Sequence, residues 1–460
     1  MQIKEIFKKI IPDFLLAFYH YLLALLGAFL YGFPSKDIKV IGITGTSGKT
    51  TAVNLTTAIL EQAGYKVACL SSIRFKIGDK ELENKLKMTM PGRFKIHKFL
   101  KQAKKEKCQY AVLEITSEGI KQYRHKFIDF TAVVFTNLSP EHIEAHKGFE
   151  NYRKAKLKLF KNTKNIHIVN LDDKNAEYFL DYRAKEKWGY NIKIQNQNKG
   201  RRREESWEEV GPLSRGRGSF VEVRPLERER KITNQKELKI IEADNIEILE
   251  NGIDFRVKST QFNLNLLGKF NVYNSLSAIC VGLSQGVSLE NCKIALERIK
   301  GVSGRMEIVI KEPFKVVVDY AHTPEALEKV YKTIKGSMFH VSGSMLCVLG
   351  SCGGGRDKWK RPVLGELAEK YCKEIIITNE DPYEENPMEI IEQVVKGAKG
   401  KAKIIVDRRQ AIRQALEIAK PNDVIIITGK GSEPWMCVKD NQKIPWDDRQ
   451  IVKEEFQKLK

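Results

Sequence analysis

From Ile38 onward, short apolar runs alternate with helical stretches, and that alternation leaves few architectures open. "IKVIGIT" reads as a strand and "TTAVNLTTAILEQAG" as a helix ending on Gly64; "VACLSS", "YAVLEIT" and "FTAVVFTNL" read as further strands. Strands interleaved with helices imply a largely parallel sheet covered on both faces. A second series begins after "GVSGR" (301–305), with "FKVVVDYA", "MLCVLGS", "EIIITNE", "AKIIVD" and "DVIIITG" as its strands. Several of these end in short polar loops, where open α/β sheets bind ligands. A domain boundary is therefore expected near Gly301. Residues 195–236 interrupt the order with a highly charged stretch that carries Gly and Pro and has no sustained period. It reads as a mobile surface insertion.

The first strand–helix turn, "GITGTSGKTT" (42–51), has the context of a phosphate-binding loop but not its standard spacing. Counting back from Gly48-Lys49-Thr50 puts Ile43, not Gly, at the first position, so the turn starts later, at Thr44-Gly45. Gly45 and Gly48 would let backbone N–H groups face phosphate oxygens. Lys49 supplies a charge for the β/γ-phosphates and Thr50 a hydroxyl for Mg²⁺.

Composition narrows the class. With 460 residues, 42% of them hydrophobic, the chain can fill two or three globular domains. A formal charge of +21 suits an anionic partner, although Lys and Arg are spread along the whole chain, as on a solvated basic surface. No RNA-reading or zinc-finger signature is present, so no specific nucleic acid is expected. The eight cysteines form no C-x-x-C pair and most lie in apolar runs, as reduced core thiols of the cytosol do. Near the N-terminus, from Phe14 to Phe33, the only strongly polar side chain is His20. That length reaches a membrane span. A membrane-associated or docked helix (contact through 11–33) is favoured over a true span, and both over a cleaved signal.

Candidate metal ligands follow the loop. Glu114 ends "YAVLEIT", where a carboxylate could reach Mg²⁺ beside Thr50. His142 and His146 are spaced i, i+4, but a third zinc ligand at useful spacing is missing. Lys156, in "ENYRKAKLKLF", is a poor ligand as an ammonium, which has donors and no acceptor.

"TGTSGKTT", "EITSEGIKQYR", "FTNLSPEHIEAHKGFENYRKAKLKLF", "LGKFNVYNSLSA", "GRMEIV", "VVDYAHTPEAL", "GGGRDKWKRP" and "GKGSE" occur in this order. Together they resemble the Mur ligase family, most closely its tripeptide-synthetase branch, from about Ile38 to the C-terminus less the insertion. In that family the shifted loop is the normal form. The resemblance implies an α/β fold: a P-loop-type central domain with a mostly parallel sheet (37–302), then a C-terminal Rossmann-like α/β domain (303–460); ahead of it, residues 1–36 read as an apolar helical segment from their own composition. It implies an ATP- and Mg²⁺-dependent amide-bond ligase of peptidoglycan synthesis, cytoplasmic (at most at the inner membrane face) and monomeric. Such an enzyme adds a diamino acid, meso-diaminopimelate or L-lysine, to UDP-MurNAc-L-Ala-D-Glu through an acyl-phosphate. A ligase with a lipid-linked or non-muramyl acceptor is the alternative.

By the same resemblance, Gly45, Thr46, Ser47, Gly48, Lys49, Thr50 and Thr51 cradle ATP, with Asn137 near its phosphates. Asn271 and Asn274 lie on the adenine side, and Arg305, Asp319, Tyr320 and His322 close over the nucleotide. Thr50 and Glu114 would bind one Mg²⁺; Glu114, His142 and a carbamylated Lys156 would surround a second. Lys49, Glu114, His142 and Lys156 are the expected catalytic set.

Departures fall at the substrate end. The family's uridine-binding N-terminal domain is expected to be missing, because only 37 residues precede the strand "IKVIGIT". The family's Thr-Thr-Pro reads Thr89-Met90-Pro91, and its Ser-Ser-His reads Thr116-Ser117-Glu118, with Arg124 retained. On the amino-acid side Arg356 and Gly429 match, whereas Asp-Asn-Pro-Arg reads Glu380-Asp381-Pro382-Tyr383. Tyr383 offers a hydrogen bond where the family's Arg offers a bidentate charge. Gly-Lys-Gly-His-Glu reads "GKGSE", which keeps Glu433.

Overall fold

A computed structural model describes residues 12–84, 88–193, 238–336 and 343–459. The insertion expected at 195–236 lies outside the described residues.

The first sheet has eleven strands. In spatial order they are Thr260–Leu264, Gly252–Val257, Lys239–Leu249, Glu186–Ile192, Ile166–Asn170, Phe130–Phe135, Lys39–Thr44, Tyr110–Glu114, Val67–Leu70, Arg74–Ile77 and Lys80–Glu83. Its interior is parallel, as the βα alternation requires. Both ends finish antiparallel, in hairpins that the alternation did not announce. Lys39–Thr44 sits between Phe130–Phe135 and Tyr110–Glu114, so its C-terminal end opens onto the turn at Gly45.

Burial explains the near-continuous apolar runs. Along Lys39–Thr44, Ile41 and Ile43 enter one core and Val40 the other, on the opposite face. A strand buried on both faces cannot alternate apolar with polar residues. The second sheet repeats the plan, ordered Glu307–Ile310, Lys315–Asp319, Val424–Thr428, Met345–Leu349, Glu374–Ile377 and Ala402–Ile404, and parallel except for its first pair. Val317 packs into one core and Val316 and Val318 into the other.

The apolar N-terminal segment forms a helix, Asp13–Leu30. It lies on the helix Arg93–Lys105 through small residues: Ala24 and Ala28 are buried, and a Cβ on Gly27 would sit 3.4 Å from the His97 ring. Among the described residues no helix is long and apolar enough to cross a membrane.

Burial also sets an acid limit. It pushes the imidazoles of His97 and His167 down to about 4 and that of His125 down to about 3. An unfolded chain protonates the same groups near 6.5. Their contribution is therefore fully present above that value and is lost as pH falls toward 4. Each should cost on the order of 1–2 kcal/mol at pH 5. Thermal melts are expected to show Tm falling by roughly 5 °C between pH 7 and pH 5; a flat Tm over that range would contradict neutral burial of these rings.

Candidate active site

The loop after Lys39–Thr44 is braced from behind. Thr46 N–H donates to the Asn137 carbonyl (2.8 Å) and Ser47 N–H to Asn137 Oδ1 (2.8 Å), while Asn137 Nδ2 donates back to the Ser47 carbonyl (3.0 Å). Asn137, expected near the phosphates, thus holds the loop backbone. Thr46 Oγ1 is fixed by the Ser139 carbonyl at 3.2 Å and the Tyr152 hydroxyl at 3.0 Å. Gly45 is obligatory because a Cβ there would fall 1.9 Å from Thr136 Oγ1. At Gly48, φ is +80° and a Cβ would lie 2.3 Å from Asn274 Oδ1. Asn274 in turn donates to Asn271 Oδ1 (2.8 Å), and Asn271 to the Leu267 carbonyl (2.8 Å).

The helix Lys49–Gln62 starts on this loop, so the N–H groups of its first turn have no intrahelical acceptor and could serve an anion. Thr51 is buried behind them. Lys49 Nζ folds over the loop onto the Thr46 carbonyl at 2.7 Å. Thr50 Oγ1 donates to Glu114 Oε2 at 3.0 Å, which joins the loop to the end of the neighbouring strand.

Lys156 comes from below, on the helix Phe149–Asn162. It is 1% exposed, and its Nζ donates to the Gly45 carbonyl at 2.7 Å. Burial, and next the Lys49 charge, push its amine well below the ordinary lysine value, against Glu141 and Glu114. Burial likewise takes His142 down to about 4, leaving a neutral imidazole at neutral pH. His146 points elsewhere: its Nε2 meets Ser117 Oγ at 3.1 Å, so the i, i+4 pair does not converge.

The second sheet supplies the opposite wall. Arg305 Nη2 donates to Thr50 Oγ1 at 3.3 Å, and its guanidinium lies 4.2 Å above the Tyr320 ring. Asp319 accepts from the N–H groups of Met306 (2.7 Å) and Ala321 (2.6 Å), which positions Arg305 and the following turn. That turn both caps a helix and reaches across to the first half of the chain. Thr323 Oγ1 caps the helix Pro324–Lys335, and His322 Nε2 reaches Glu141 Oε1 at 2.9 Å.

Beyond Tyr320 a pocket of about 330 Å³ is lined by His322, Cys352, Arg356, Lys360, Glu380, Asp381, Tyr383, Gly429 and Glu433 as well as Tyr320. A second, of about 450 Å³, is lined by Ser72, Asn84 and Thr89 of the first half and Pro434 of the second. Tyr320, Arg356, Tyr383 and Glu433 line both pockets. Ser117 and Arg124 line neither: Arg124 is turned onto the Met90 carbonyl and Gln122 Oε1.

Two family models match this chain: the Mur ligase middle domain over residues 43–223 and the Mur ligase glutamate ligase domain over 304–431. The 2,6-diaminopimelate-adding UDP-N-acetylmuramoyl-L-alanyl-D-glutamate ligase of Syntrophomonas wolfei is 36% identical over 445 residues, covering 94% of this chain and 81% of that one. The chain belongs to the Mur ligase family. A UDP-N-acetylmuramyl-tripeptide synthetase from Roseiflexus is 33% identical, over 93% of this chain and 80% of its own length. A solved 2,6-diaminopimelate ligase superposes with a TM-score of 0.55 at 25% identity, over 92% of this chain and 79% of that one.

Several residues of this Mur ligase site were not singled out in the sequence. Ser72 N–H donates to Glu114 Oε2 at 2.9 Å, and Ser72 Oγ bridges Glu114 (3.1 Å) and Thr89 Oγ1 (2.8 Å). Glu141 is buried; that burial favours the protonated acid, but His142, the His322 hydrogen bond and Lys49 outweigh it and hold the carboxyl well below its usual range. Asp357 accepts from Ile143 and Glu144 N–H (3.1 and 3.0 Å), tying the two halves together. Lys430 is fully buried against Asp381 (2.9 Å) and Glu433 (2.7 Å). In "SPEHIEAHKG" Glu141 stood beside the more conspicuous histidine. In "GKGSE" Lys430 resembled any loop lysine.

Proposed function

We propose that this Mur ligase joins a diamino acid, meso-diaminopimelate or L-lysine, to UDP-MurNAc-L-Ala-D-Glu in peptidoglycan synthesis. The observation that carries the reading is the shared wall of Tyr320, Arg356, Tyr383 and Glu433 between the two pockets. It would bring an amine held on the C-terminal side to an acceptor entering past Thr89 and Ser72. The acceptor's carboxylate oxygen attacks the γ-phosphorus of ATP, ADP leaves, and an acyl-phosphate results. The amine lone pair then attacks the acyl carbon, phosphate departs with the C–O bonding pair, and the nitrogen loses its extra proton.

Each residue has a part that its surroundings support. Lys49, Arg305 and the first-turn N–H groups offset phosphate charge that increases toward both transition states. Arg356 suits the amino acid's carboxylate, and Glu380 and Glu433 suit its ammonium groups. The donor set fits Mg²⁺: Thr50 and Glu114 present hard oxygens, and neutral His142 presents a nitrogen. Lys156 fits only once carbamylated, and its buried, depressed amine favours that reaction with CO₂. Mg²⁺ there would supply charge neutralisation for the phosphoryl oxygens. The substrates and the eight unpaired thiols suit the cytoplasm, and the chain is taken to act as a monomer.

Phosphate release from ATP, measured with UDP-MurNAc-L-Ala-D-Glu and each diamino acid separately, tests the reading. One of them should stimulate release and give a tripeptide product of the matching mass. No stimulation by either would overturn the muramyl-dipeptide assignment and favour a lipid-linked or non-muramyl acceptor.

A further inference from the structure

We propose that the helix Asp13–Leu30, with the lysine face of Arg93–Lys105 beside it, docks this enzyme on an anionic lipid bilayer. The first helix uses its small residues to pack, so its large ones point away. Phe14 and Phe29 are each 70% exposed and Phe18 is 59%, and Leu22, Leu26 and Leu30 are exposed with them. Isolated exposed apolar side chains are ordinary, but a continuous set on one helix marks a surface made for another medium. Between Phe14 and Leu30 the only polar side chains are Tyr19, His20 and Tyr21. Of these, Tyr21 packs edge-on against Phe127 (5.2 Å) and Tyr123 (6.1 Å). So plain an apolar face offers few directional contacts to a protein partner, which commonly meets an interface carrying about ten hydrogen bonds.

Charge identifies the lipid. The supporting helix Arg93–Lys105 carries six basic residues and no carboxylate. Lys95, Lys98, Lys101 and Lys105 are exposed on it, and Lys104 is paired with Asp37 at 2.6 Å. Cations also edge the apolar face at its C-terminal end, with Lys101 Nζ 5.8 Å from the Tyr31 ring and Lys36 Nζ 5.3 Å from that of Phe33. Apolar insertion with adjacent lysines is the combination that holds a peripheral protein on anionic headgroups. A helix of 18 residues laid flat enters the interface without spanning the hydrocarbon.

Sedimentation of the full chain with vesicles tests this. Wild type should pellet with phosphatidylcholine vesicles containing about a quarter phosphatidylglycerol, weakly with phosphatidylcholine alone, and less as salt rises. The double variant Phe18→Glu/Phe29→Glu and the triple variant Lys95→Glu/Lys98→Glu/Lys101→Glu should each bind at least roughly tenfold less, with Tm close to wild type. Failure of wild type to bind anionic vesicles would overturn the proposal, as would full binding by Phe18→Glu/Phe29→Glu. Undiminished binding by the lysine variant would remove the anionic-lipid assignment. Lipid-free self-association that depends on Phe18 and Phe29, without vesicle binding, would assign the face to a second copy of the chain instead.

Discussion

Lys156→Ala is expected to lower turnover by roughly 10²–10³-fold, the usual cost of removing one transition-state charge contact, while ATP still binds. The reason lies in the burial of this amine. A lysine on a solvated helix would be an ammonium at pH 7, with no lone pair for CO₂. At 1% exposure, with Lys49 nearby, Lys156 is held well below the ordinary lysine value. That raises the share of neutral amine, which can attack the CO₂ carbon: an N–C bond forms, a C–O π pair moves to oxygen, and the nitrogen loses a proton. The product has oxygen acceptors where the ammonium had only donors. Lys156→Arg should be as inactive as Lys156→Ala, because a guanidinium keeps its charge and takes up no CO₂. Buffers stripped of CO₂ should slow wild type and added bicarbonate restore it. ¹³C-bicarbonate should give a carbamate NMR signal that Lys156→Ala lacks. An active arginine variant, or wild type without that signal, would make Lys156 a simple cation under the loop.

The same residue shows what the sequence made legible and what it could not. Strand order along the chain, the shifted turn at Gly45 and the strand-end Glu114 could be read because each depends on local pattern: a buried parallel strand, a phosphate turn, a carboxylate at a strand's C-terminal edge. Lys156 was expected in the site only through family resemblance, since its helix spacing is that of an exposed lysine. The carbonyl its amine meets belongs to Gly45, 111 positions earlier, which no local window contains. Glu141 and Lys430 were missed for the same reason. Their partners, His322 and Asp381, arrive from loops that follow distant strands, and a charge pair formed by tertiary packing leaves no period in the chain. The antiparallel hairpin at one sheet end was overlooked because "RFKI" and "KELE" carry too little apolar pattern beside the buried runs. At "DYAHTP" a helix cap and a site residue shared six positions, and the local reading could not separate them. In the structure Thr323 faces its helix while His322 faces Glu141.

Tyr383→Arg should raise the ratio of kcat/KM for meso-diaminopimelate over L-lysine by roughly 10- to 100-fold. The two substrates differ by one carboxylate at the distal end, so a residue that distinguishes them has to recognise that charge. Tyr383 cannot do so as an ion pair. Burial, and next the Asp381 charge, push its phenol up, so it stays neutral and donates at most one hydrogen bond. Around it, Cys352 donates to Glu380 Oε1 at 3.1 Å, and Lys430 is committed to Asp381 and Glu433. An added guanidinium at position 383 would give a second carboxylate a bidentate partner in a pocket already edged with acids. The backbone there has φ of +52° and the ring lies close against Gly354, so the new side chain starts from the same constrained direction. Tyr383→Phe is the control: it removes the hydroxyl alone and should shift the ratio by less than about fivefold. Initial rates with both amino acids for the three proteins decide the matter. A ratio unchanged by arginine would place the distal end of the amino acid away from Tyr383, with Arg356 as the group that reads its carboxylates.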